Sequence, residues 1–326
     1  ARVGICDIGA FEYVTPGAAD SIWAFAGDLQ NVNPNHTFAL PLTITVLDGG
    51  GNPVPNLQVT FETPTSGPSA IFAQTGSNLQ TLTTNIAGFA TSSLLTANGE
   101  YGMFNVSIYY TGGAPQPVFT LDILKWTVSP TGSDSNSCKS PADPCQSIQT
   151  AITRASAGDT IFVAAGTYTS SSSTEVVLIK NNFILSGGWN DTFTNQTGYS
   201  IIDGQNSRRG VTVWRGTAAL NRFVITNGKA TFDNGHVGSG GGILVWGGST
   251  LQITNSIVSS NSGGNGGGIG AEEDTDLTIR NSIIKDNNAG SSTNTGSGGG
   301  IFFRGKLTMT GSTVYNNYAF GGGGGI

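Results

Sequence analysis

The chain has 326 residues, of which 49 are glycine and only 10% are charged, and its formal net charge is −6. Average soluble domains are about a quarter charged, so the charged residues that favour helices are scarce here. An acidic chain lacks the basic face that binds nucleic acid, and no apolar run reaches the roughly 18 residues of a membrane-spanning helix. Neutral polar residues with Val, Ile and Thr favour strands and turns, and we predict an all-β fold.

Three segments differ in pattern along the chain. Residues 1–14 include a short apolar stretch, VGICDIGAFEYV. Residues 15–125 contain runs with apolar residues at every second position, such as LTITVLD (42–48) and LQVTFET (57–63). Such alternation is typical of half-buried strands, and several such strands separated by turn residues predict a β-sandwich.

The third segment, residues 126–326, opens with a strand-like WTVSP and a loop flanked by cysteines, SCKSPADPCQ. We expect Cys138 and Cys145 to form a local disulfide, which implies an oxidising compartment; the alternative is two free thiols. Without a nearby His they do not form a zinc site. Cys6 has no evident partner in the sequence.

One stretch of the third segment has a helical pattern, CQSIQTAITRASAGD (145–159). Its apolar residues Ile148, Ala151, Ile152 and Ala155 recur on one helical face, and Gly158 is expected to end the helix. We predict that residues 126–159 cap a β-array formed by residues 160–326, because the apolar end of its first rung would otherwise be exposed.

A repeat marks this array. Gly-Gly-Gly-Ile begins at residues 240, 266, 298 and 323, at intervals of 26, 32 and 25 residues. Three related stretches lie in phase with it: LQITNSIVSSN (251–261), LTIRNSIIKDN (277–287) and LTMTGSTVYNN (307–317). A repeat of this length, with about three strands and Gly or Asn turns, is one coil of a solenoid. Residues 160–326 would therefore form roughly six coils.

Each coil is expected to point apolar side chains inward, with the same set repeated directly above in the next coil. The two predicted sets are Ile243, Leu251, Ile253 and Ile257, and then Ile269, Leu277, Ile279 and Ile283. Asparagines recur at equivalent turns, where stacked side chains can hydrogen-bond to one another and to free backbone groups. They are Asn255 with Asn281, and Asn261 with Asn287 and Asn317.

Residues 30–125 resemble the bacterial Ig-like domains of the invasin/intimin type. The resemblance lies in LTITVLDGGGNPVPNLQVTFETPTSG (42–67) and TTNIAGFATSSLLTANGEYGMFNVS (83–107). The segment Asn85-Ile86-Ala87-Gly88 departs from the commoner Asp-Ala-x-Gly of that family. The resemblance implies an Ig-like β-sandwich at 15–125, which acts as a spacer or adhesive module of a surface protein.

Residues 126–326 resemble the right-handed parallel β-helix of bacterial surface proteins, including those with polymorphic outer-membrane-type repeats. The matching stretches are CQSIQTAITRASAGDTIFVAAGTY (145–168), FILSGGWN (183–190), SIIDGQ (200–205) and the Gly-Gly-Gly-Ile units. CDIGAFEY (6–13) is similar to the motif that closes such β-helices at their C-terminal end. The resemblance therefore places a closing motif before the β-helix that it would close.

This order fits two arrangements. One is a tandem array in which β-helix and Ig-like domains alternate; the other is a polymer in which residues 1–14 of one subunit complete the β-helix of its neighbour. The alternative is a simple end of the sequence at Ile326, with disordered residues beyond it. The residues expected to take part in assembly are Val3, Ile5, Cys6, Ile8, Phe11, Tyr13 and Ile326.

Catalysis on polysaccharides would need paired carboxylates, or carboxylates that hold calcium near a basic residue. The candidates are Asp203 with Arg208 and Arg209, and the cluster Glu272, Glu273, Asp274 and Asp276. Asp-Gly more simply marks a turn, and the acidic cluster reads as one solvated loop, with weak calcium binding as the alternative. His36 and His236 fall in different predicted domains, so neither anchors a metal cluster or a triad. We predict no enzyme activity, no metal and no cofactor.

Tryptophans and N-glycosylation sequons are the residues that could contact or carry sugars. Trp189, Trp214 and Trp246 lie in the β-helix half, where packing is the simpler interpretation and stacking on a sugar the alternative. Possible glycosylation sites are the sequons at Asn35, Asn105, Asn190 and Asn195.

Together these features predict an extracellular or cell-surface protein with a structural or adhesive role. We expect it to bind another copy of itself, joined end to end as a filament or surface array, and a surface glycan is the further candidate partner. The alternative is a carbohydrate-binding or lyase-like β-helix protein, which would show aligned exposed aromatic rings or a cleft where carboxylates and basic residues converge.

Overall fold

The computed structural model describes residues 16–110, 113, 116–172, 174–230, 238–291 and 294–326. Strands dominate the described residues, and Ile148–Arg154 is their single α-helix. The predicted all-β fold is confirmed. Contacts divide the chain into two units, one ending at Leu124 and the other running from Lys125 to Ile326.

The described residues of the first unit form ten strands. They are β1 Ala19–Ala26, β2 Asn31–Val32, β3 Thr43–Asp48, β4 Gln58–Glu62, β5 Ala70–Phe72, β6 Leu79–Thr83, β7 Phe89–Thr91, β8 Leu95–Ala97, β9 Gly102–Tyr110 and β10 Gln116–Ile123. One sheet has the order β1-β3-β7, a second has the order β2-β10-β9-β4-β6, and β5 pairs with β8.

The core of this unit forms where the alternating residues of both sheets meet. Ile44 and Val46 of β3 and Val59 and Phe61 of β4 are fully buried in one cluster, while Thr43 and Thr45 face away from it. The unit is therefore a β-sandwich built on the period-two pattern of its strands.

The second unit contains α1 Ile148–Arg154 and 22 further strands. The strands are β11 Trp126–Val128, β12 Thr160–Ala164, β13 Gly166–Tyr168, β14 Glu175–Ile179, β15 Phe183–Trp189, β16 Ser200–Asp203, β17 Arg209–Trp214, β18 Thr217–Asn221, β19 Phe223–Thr226, β20 Ile243–Trp246, β21 Thr250–Thr254, β22 Ile257–Ser259, β23 Ser262–Gly263, β24 Ile269–Ala271, β25 Asp276–Arg280, β26 Ile283–Lys285, β27 Asn288–Ser291, β28 Asn294–Thr295, β29 Ile301–Phe303, β30 Lys306–Thr310, β31 Thr313–Tyr315 and β32 Tyr318–Ala319.

These strands form three long parallel sheets. Sheet A has the order β11-β12-β15-β18-β21-β25-β30, sheet B the order β13-β16-β19-β22-β26-β31, and sheet C the order β14-β17-β20-β24-β29. Because the chain visits A, B and C in turn and each strand pairs with its counterpart one coil later, the unit is a parallel β-helix. Sheet A has six strands from β12 onward, one for each coil.

Equivalent apolar side chains stack inside the β-helix. Ile243, Ile269 and Ile301 pair in register along sheet C, and all three are buried. The prediction that Ile257 and Ile283 point inward was wrong: both are half-buried, and the next residues, Val258 and Ile284, are buried instead.

A left-handed turn causes this shift. Asn255 has φ +49° and Asn281 has φ +48°, a conformation that asparagine adopts more readily than most residues. The turn takes up one residue of the alternation between sheets A and B, so the next inward side chain is Ser256, which is buried. The inward positions of the following strand of sheet B, such as Val258 and Ile284, are therefore displaced by one residue.

The helix α1 packs against β11, β12 and β14, at the start of sheets A and C. Ser147 caps its first turn by accepting a hydrogen bond from the Thr150 N–H. Gln149 Oε1 accepts from Leu178 N (2.7 Å), and Gln149 Nε2 donates to Leu178 O (3.3 Å), so this side chain covers the free edge of β14. The helix ends at Arg154, four residues before Gly158.

Candidate functional site

The Gly-Gly-Gly-Ile steps lie just before successive strands of sheet C. The first glycine of each step has a positive φ, between +61° and +66°. A Cβ on the second glycine would lie 2.1 Å from a backbone oxygen at Gly241 and 2.2 Å from one at Gly267 and Gly299. Since no side chain fits at that distance, the repeat marks points where the backbones of adjacent coils approach too closely for any residue but glycine.

A ladder of buried asparagines runs beside these steps. Asn261 Nδ2 donates to Asn287 Oδ1, and Asn287 Nδ2 donates to Asn317 Oδ1, each at 2.9 Å. Each also bonds the previous coil, since Asn261 Nδ2 donates to Ile225 O and Asn287 Nδ2 to Val258 O, both at 3.0 Å. The predicted stacking of these three asparagines is confirmed.

The ladder ends differently at Asn317. Its Nδ2 donates to Ile284 O of the previous coil and to Tyr315 O of its own coil, both at 2.9 Å. In Asn261 and Asn287 the second of these hydrogen bonds goes instead to the asparagine of the next coil. Asn317 therefore makes within its own coil the hydrogen bond that Asn261 and Asn287 make to the next coil.

The coil at residues 301–326 has an uncovered interior. Leu307, Met309 and Val314 are only half-buried, whereas their counterparts one coil earlier, Leu277, Ile279 and Ile284, are buried. Phe303 is 41% exposed and Ile326 is 51% exposed, although Phe303 pairs in register with the buried Ala271.

A cleft of about 230 Å³ opens on this surface, lined by Ile301, Phe302, Phe303 and Ile326 with neighbouring glycines and Ser297. The strands β29, β30 and β31 are each the last of their sheet in the part of the chain that the structure describes. We call the surface formed by Phe303, Leu307, Met309, Val314 and Ile326 the end face. It combines strand edges with apolar side chains, which is what another strand rung requires.

The remaining residues expected to assemble, Val3, Ile5, Cys6, Ile8, Phe11 and Tyr13, lie outside the described residues. Of the predicted assembly residues, Ile326 is described, and it lies on the end face.

The first catalytic candidate group is occupied by structural bonds. Asp203 Oδ1 accepts from Gln205 N (2.8 Å) and Asn227 Nδ2 (3.1 Å), as a turn residue does. Arg209 lies 4.0 Å from Glu175 in a mostly buried ion pair and donates to the carbonyl oxygens of Ser239 and Gly240. These contacts fix the chain where it enters sheet C, and they do not bring Asp203 and Arg209 together as a reactive pair.

The acidic cluster at residues 272–276 does not converge on a metal site in the part of the chain that the structure describes. Arg304 lies 4.0 Å from Glu272 and 3.7 Å from Glu273, while Glu273, Asp274 and Asp276 are exposed. Among the described residues, no group of three His, Cys, Asp or Glu is arranged to hold a metal ion.

The tryptophans of the β-helix pack on other side chains. Trp189 lies 5.3 Å from the Phe162 ring, and its Nε1 donates to Ser186 Oγ. Trp214 and Trp246 stack with ring centroids 5.4 Å apart and planes 7° apart, and the Lys180 ammonium lies 5.0 Å from the Trp214 centroid. Their aromatic faces are therefore largely occupied.

This stack belongs to a longer ladder that the sequence reasoning missed. Successive coils place Lys180, Trp214, Trp246, Glu272 and Arg304 at the same register position, at the ends of the strands of sheet C. Lys180 contacts Trp214 through a cation–π interaction, Trp214 stacks on Trp246, and Glu272 forms an ion pair with Arg304. Each residue directly follows the last inward-facing position of its strand, and that position is the signal that could have revealed the row.

The cysteine loop is tied to the helix. Cys138 and Cys145 are joined as a disulfide and buried. Arg154 Nη1 donates to both sulfur atoms (3.3 and 3.4 Å) and to Asn136 O, and Arg154 Nη2 donates to Asp134 O. The Arg154 side chain, in the last turn of α1, thereby fixes the cysteine loop to the helix.

The four sequons differ in accessibility. Asn35, Asn105 and Asn195 are exposed. Asn190 is half-buried, and its Oδ1 accepts from the backbone N–H groups of Thr194 and Asn195. Asn190 therefore holds its own turn, while the other three present their side chains to solvent.

Comparison with known proteins adds little to this description. In the part of the chain that the structure describes, no helix is long and apolar enough to cross a bilayer. No protein-family model matches the chain, and no curated protein is significantly similar to it. Among solved structures, it is similar to the crystal structure of the S-layer protein SbsC domains 4 and 5, at 15% identity and a TM-score of 0.23. That match spans 33% of this chain and 53% of the other, and a likeness so weak supports no conclusion about function.

Proposed function

We propose that the chain is a structural segment of an extracellular surface protein, in which the β-helix is a stiff rod that continues beyond residues 301–326 into further β-helix rungs. The rungs come from another copy or repeat of the same architecture, so that the protein forms a filament or surface array. The uncovered end face is the observation that carries the proposal.

The end face favours a strand partner over solvent. Complete burial of one large aliphatic side chain is worth about 1.5–3 kcal/mol relative to exposure. The end face includes Leu307, Met309, Val314 and Ile326, each already partly covered. Covering them would contribute on the order of 4 kcal/mol, before the backbone hydrogen bonds along three strand edges are counted.

The Asn317 side chain also supports continuation of the β-helix beyond residues 301–326. A next coil with an asparagine or another oxygen acceptor at the equivalent turn would take the hydrogen bond that Asn317 now makes to its own coil. The ladder would then extend by the same geometry that joins Asn261 to Asn287.

A non-enzymatic role fits the ionisable residues. Of the candidate catalytic residues, Asp203 is bonded to Asn227, Arg209 is paired with Glu175, and Glu272 and Glu273 lie beside Arg304. These contacts support a structural role over that of a lyase. The disulfide supports a protein that works in an oxidising compartment.

A pair of variants on one strand tests the proposal. Val314→Asp places a charge on the end face, whereas Thr313→Asp places the same charge one residue away on the outer surface of β31, where Thr313 is exposed. Electron microscopy and sedimentation of native protein should show end-to-end assemblies that Val314→Asp abolishes and Thr313→Asp preserves.

Two results would contradict the proposal. One is that this chain stays as single, monomeric particles at micromolar concentration. The other is assembly that survives Val314→Asp unchanged.

A further inference from the structure

The outer face of the β1-β3-β7 sheet carries unusually exposed aromatic rings. Trp23 is 62% exposed and Phe25 is 64% exposed, whereas the alternate residues Ile22 and Ala24 pack against the sandwich core. Single exposed apolar residues are common, but adjacent exposed aromatic rings on one sheet face mark an interaction surface.

The rings lie over a regular arrangement of threonines. Trp23 pairs across the sheet with Thr45, which pairs with Phe89 on its other side. Phe25 reaches toward Phe89, with ring centroids 4.6 Å apart and planes 59° apart. We call the surface formed by Trp23, Phe25, Phe89 and the outward-facing threonines the aromatic platform.

The threonines supply hydrogen-bonding groups next to the rings. Thr43 Oγ1 and Thr91 Oγ1 lie 3.0 Å apart on neighbouring strands. Because one hydroxyl donates to the other, the pair still offers a free hydroxyl hydrogen and unused lone pairs to a ligand. Thr45 stands between Trp23 and Phe89 on the same side.

Charge is missing from the middle of the aromatic platform. The three strands contain two carboxylates among their described residues: Asp48 is buried, and Asp20 lies at the far end of β1 beside Gly49. A charged polymer would find no opposite charge among the rings. A neutral ligand with an apolar face and many hydroxyls matches the platform.

The size of the platform argues against a stable protein partner. Three strands about 4.8 Å apart and at most eight residues long at about 3.3 Å each give a face of about 14 by 26 Å, or roughly 360 Å². A stable protein interface buries about 800 Å² on each side. Two or three sugar rings, by contrast, fit within the platform.

We propose that the aromatic platform binds a neutral polysaccharide. The C–H faces of its sugar rings stack on Trp23 and Phe25, and its hydroxyls exchange hydrogen bonds with Thr43, Thr45 and Thr91. This goes beyond a structural role for the chain, because it supplies the sandwich with a ligand of its own. The β-helix tryptophans do not offer the same surface, since Trp214 and Trp246 stack on each other.

Calorimetric titration with neutral hexasaccharides, including cellohexaose and chitohexaose, tests the proposal on the native chain. Wild-type protein should bind at least one member of a neutral-oligosaccharide array. Trp23→Ala should weaken that binding at least tenfold, and Phe25→Ala several-fold.

Trp246→Ala is the matched control, because Trp246 is also exposed, at 39%, but belongs to the β-helix. It should leave the affinity unchanged, and the thermal midpoint of the sandwich should stay the same in Trp23→Ala. The proposal is overturned if no neutral oligosaccharide binds, if anionic sugars bind instead, or if Trp23→Ala binds as tightly as wild type.

Discussion

Replacing Asn287 with alanine tests whether the asparagine ladder holds the coils together. Asn287 Oδ1 accepts from Asn261 N (3.0 Å) and Asn261 Nδ2 (2.9 Å), and Asn287 Nδ2 donates to Val258 O (3.0 Å). Asn287→Ala removes these three hydrogen bonds from a site that excludes water, together with the bond from Asn287 Nδ2 to the half-buried Asn317. Each such loss costs at least about 1–1.5 kcal/mol, so the free energy of unfolding of the β-helix should fall by about 3–5 kcal/mol.

The assay is urea denaturation of the β-helix unit, followed by far-ultraviolet circular dichroism and compared with Asn288→Ala. Asn288 is the next residue and is exposed, so its replacement should cost less than about 0.5 kcal/mol. If Asn287→Ala destabilises the unit by less than about 1 kcal/mol, or no more than Asn288→Ala does, the ladder does not stabilise the stack.

Three further predictions concern other parts of the chain. Gly267→Ala should prevent correct stacking, because the new Cβ would lie 2.2 Å from a backbone oxygen, whereas Gly248→Ala, with φ +75° and open space around it, should cost only about 1 kcal/mol of strain; thermal melting compares the two. Backbone hydrogen bonds from Gly17 and Asn52 lower the pKa of Asp48 to about 2. The ionised carboxylate therefore stabilises the folded state fully above about pH 4, and this stabilisation is lost as the pH falls toward 2. Acid unfolding of Asp48→Asn should lack this pH-dependent loss of stability. A double Cys138→Ser/Cys145→Ser variant opens a short loop and should lose about 2.5 kcal/mol in the chain-entropy model, and dithiothreitol should destabilise the wild type but not the variant.

The β-helix was predictable because two sequence signals repeat in phase. The Gly-Gly-Gly-Ile steps and the asparagine turns fixed the coil length, and rows such as Ile243 and Ile269 followed from it. Counting by alternation alone failed at Ile257, because the positive φ of Asn255 inserts a turn that a two-residue period does not contain.

Other features depend on distances that the sequence does not show. Lys180 meets Trp214, Trp214 meets Trp246, and Glu272 meets Arg304 only because loops of different lengths return the chain to the same sheet position. The contacts of Arg154 with the two cysteine sulfurs arise from the packing of α1 on the cap. The aromatic platform depends on the strand register, which brings Phe89 of β7 beside Phe25 of β1.

Hydrogen exchange in native material tests the central claim of end-to-end continuation most directly. Residues 306–319 form the last described strands of sheets A and B, and residues 276–287 form their counterparts one coil earlier. Continuation predicts that the amides of both segments are equally protected in wild type, and that only 306–319 exchange faster in Val314→Asp. Rapid exchange of 306–319 in native wild-type protein, beside a protected 276–287, would contradict the account.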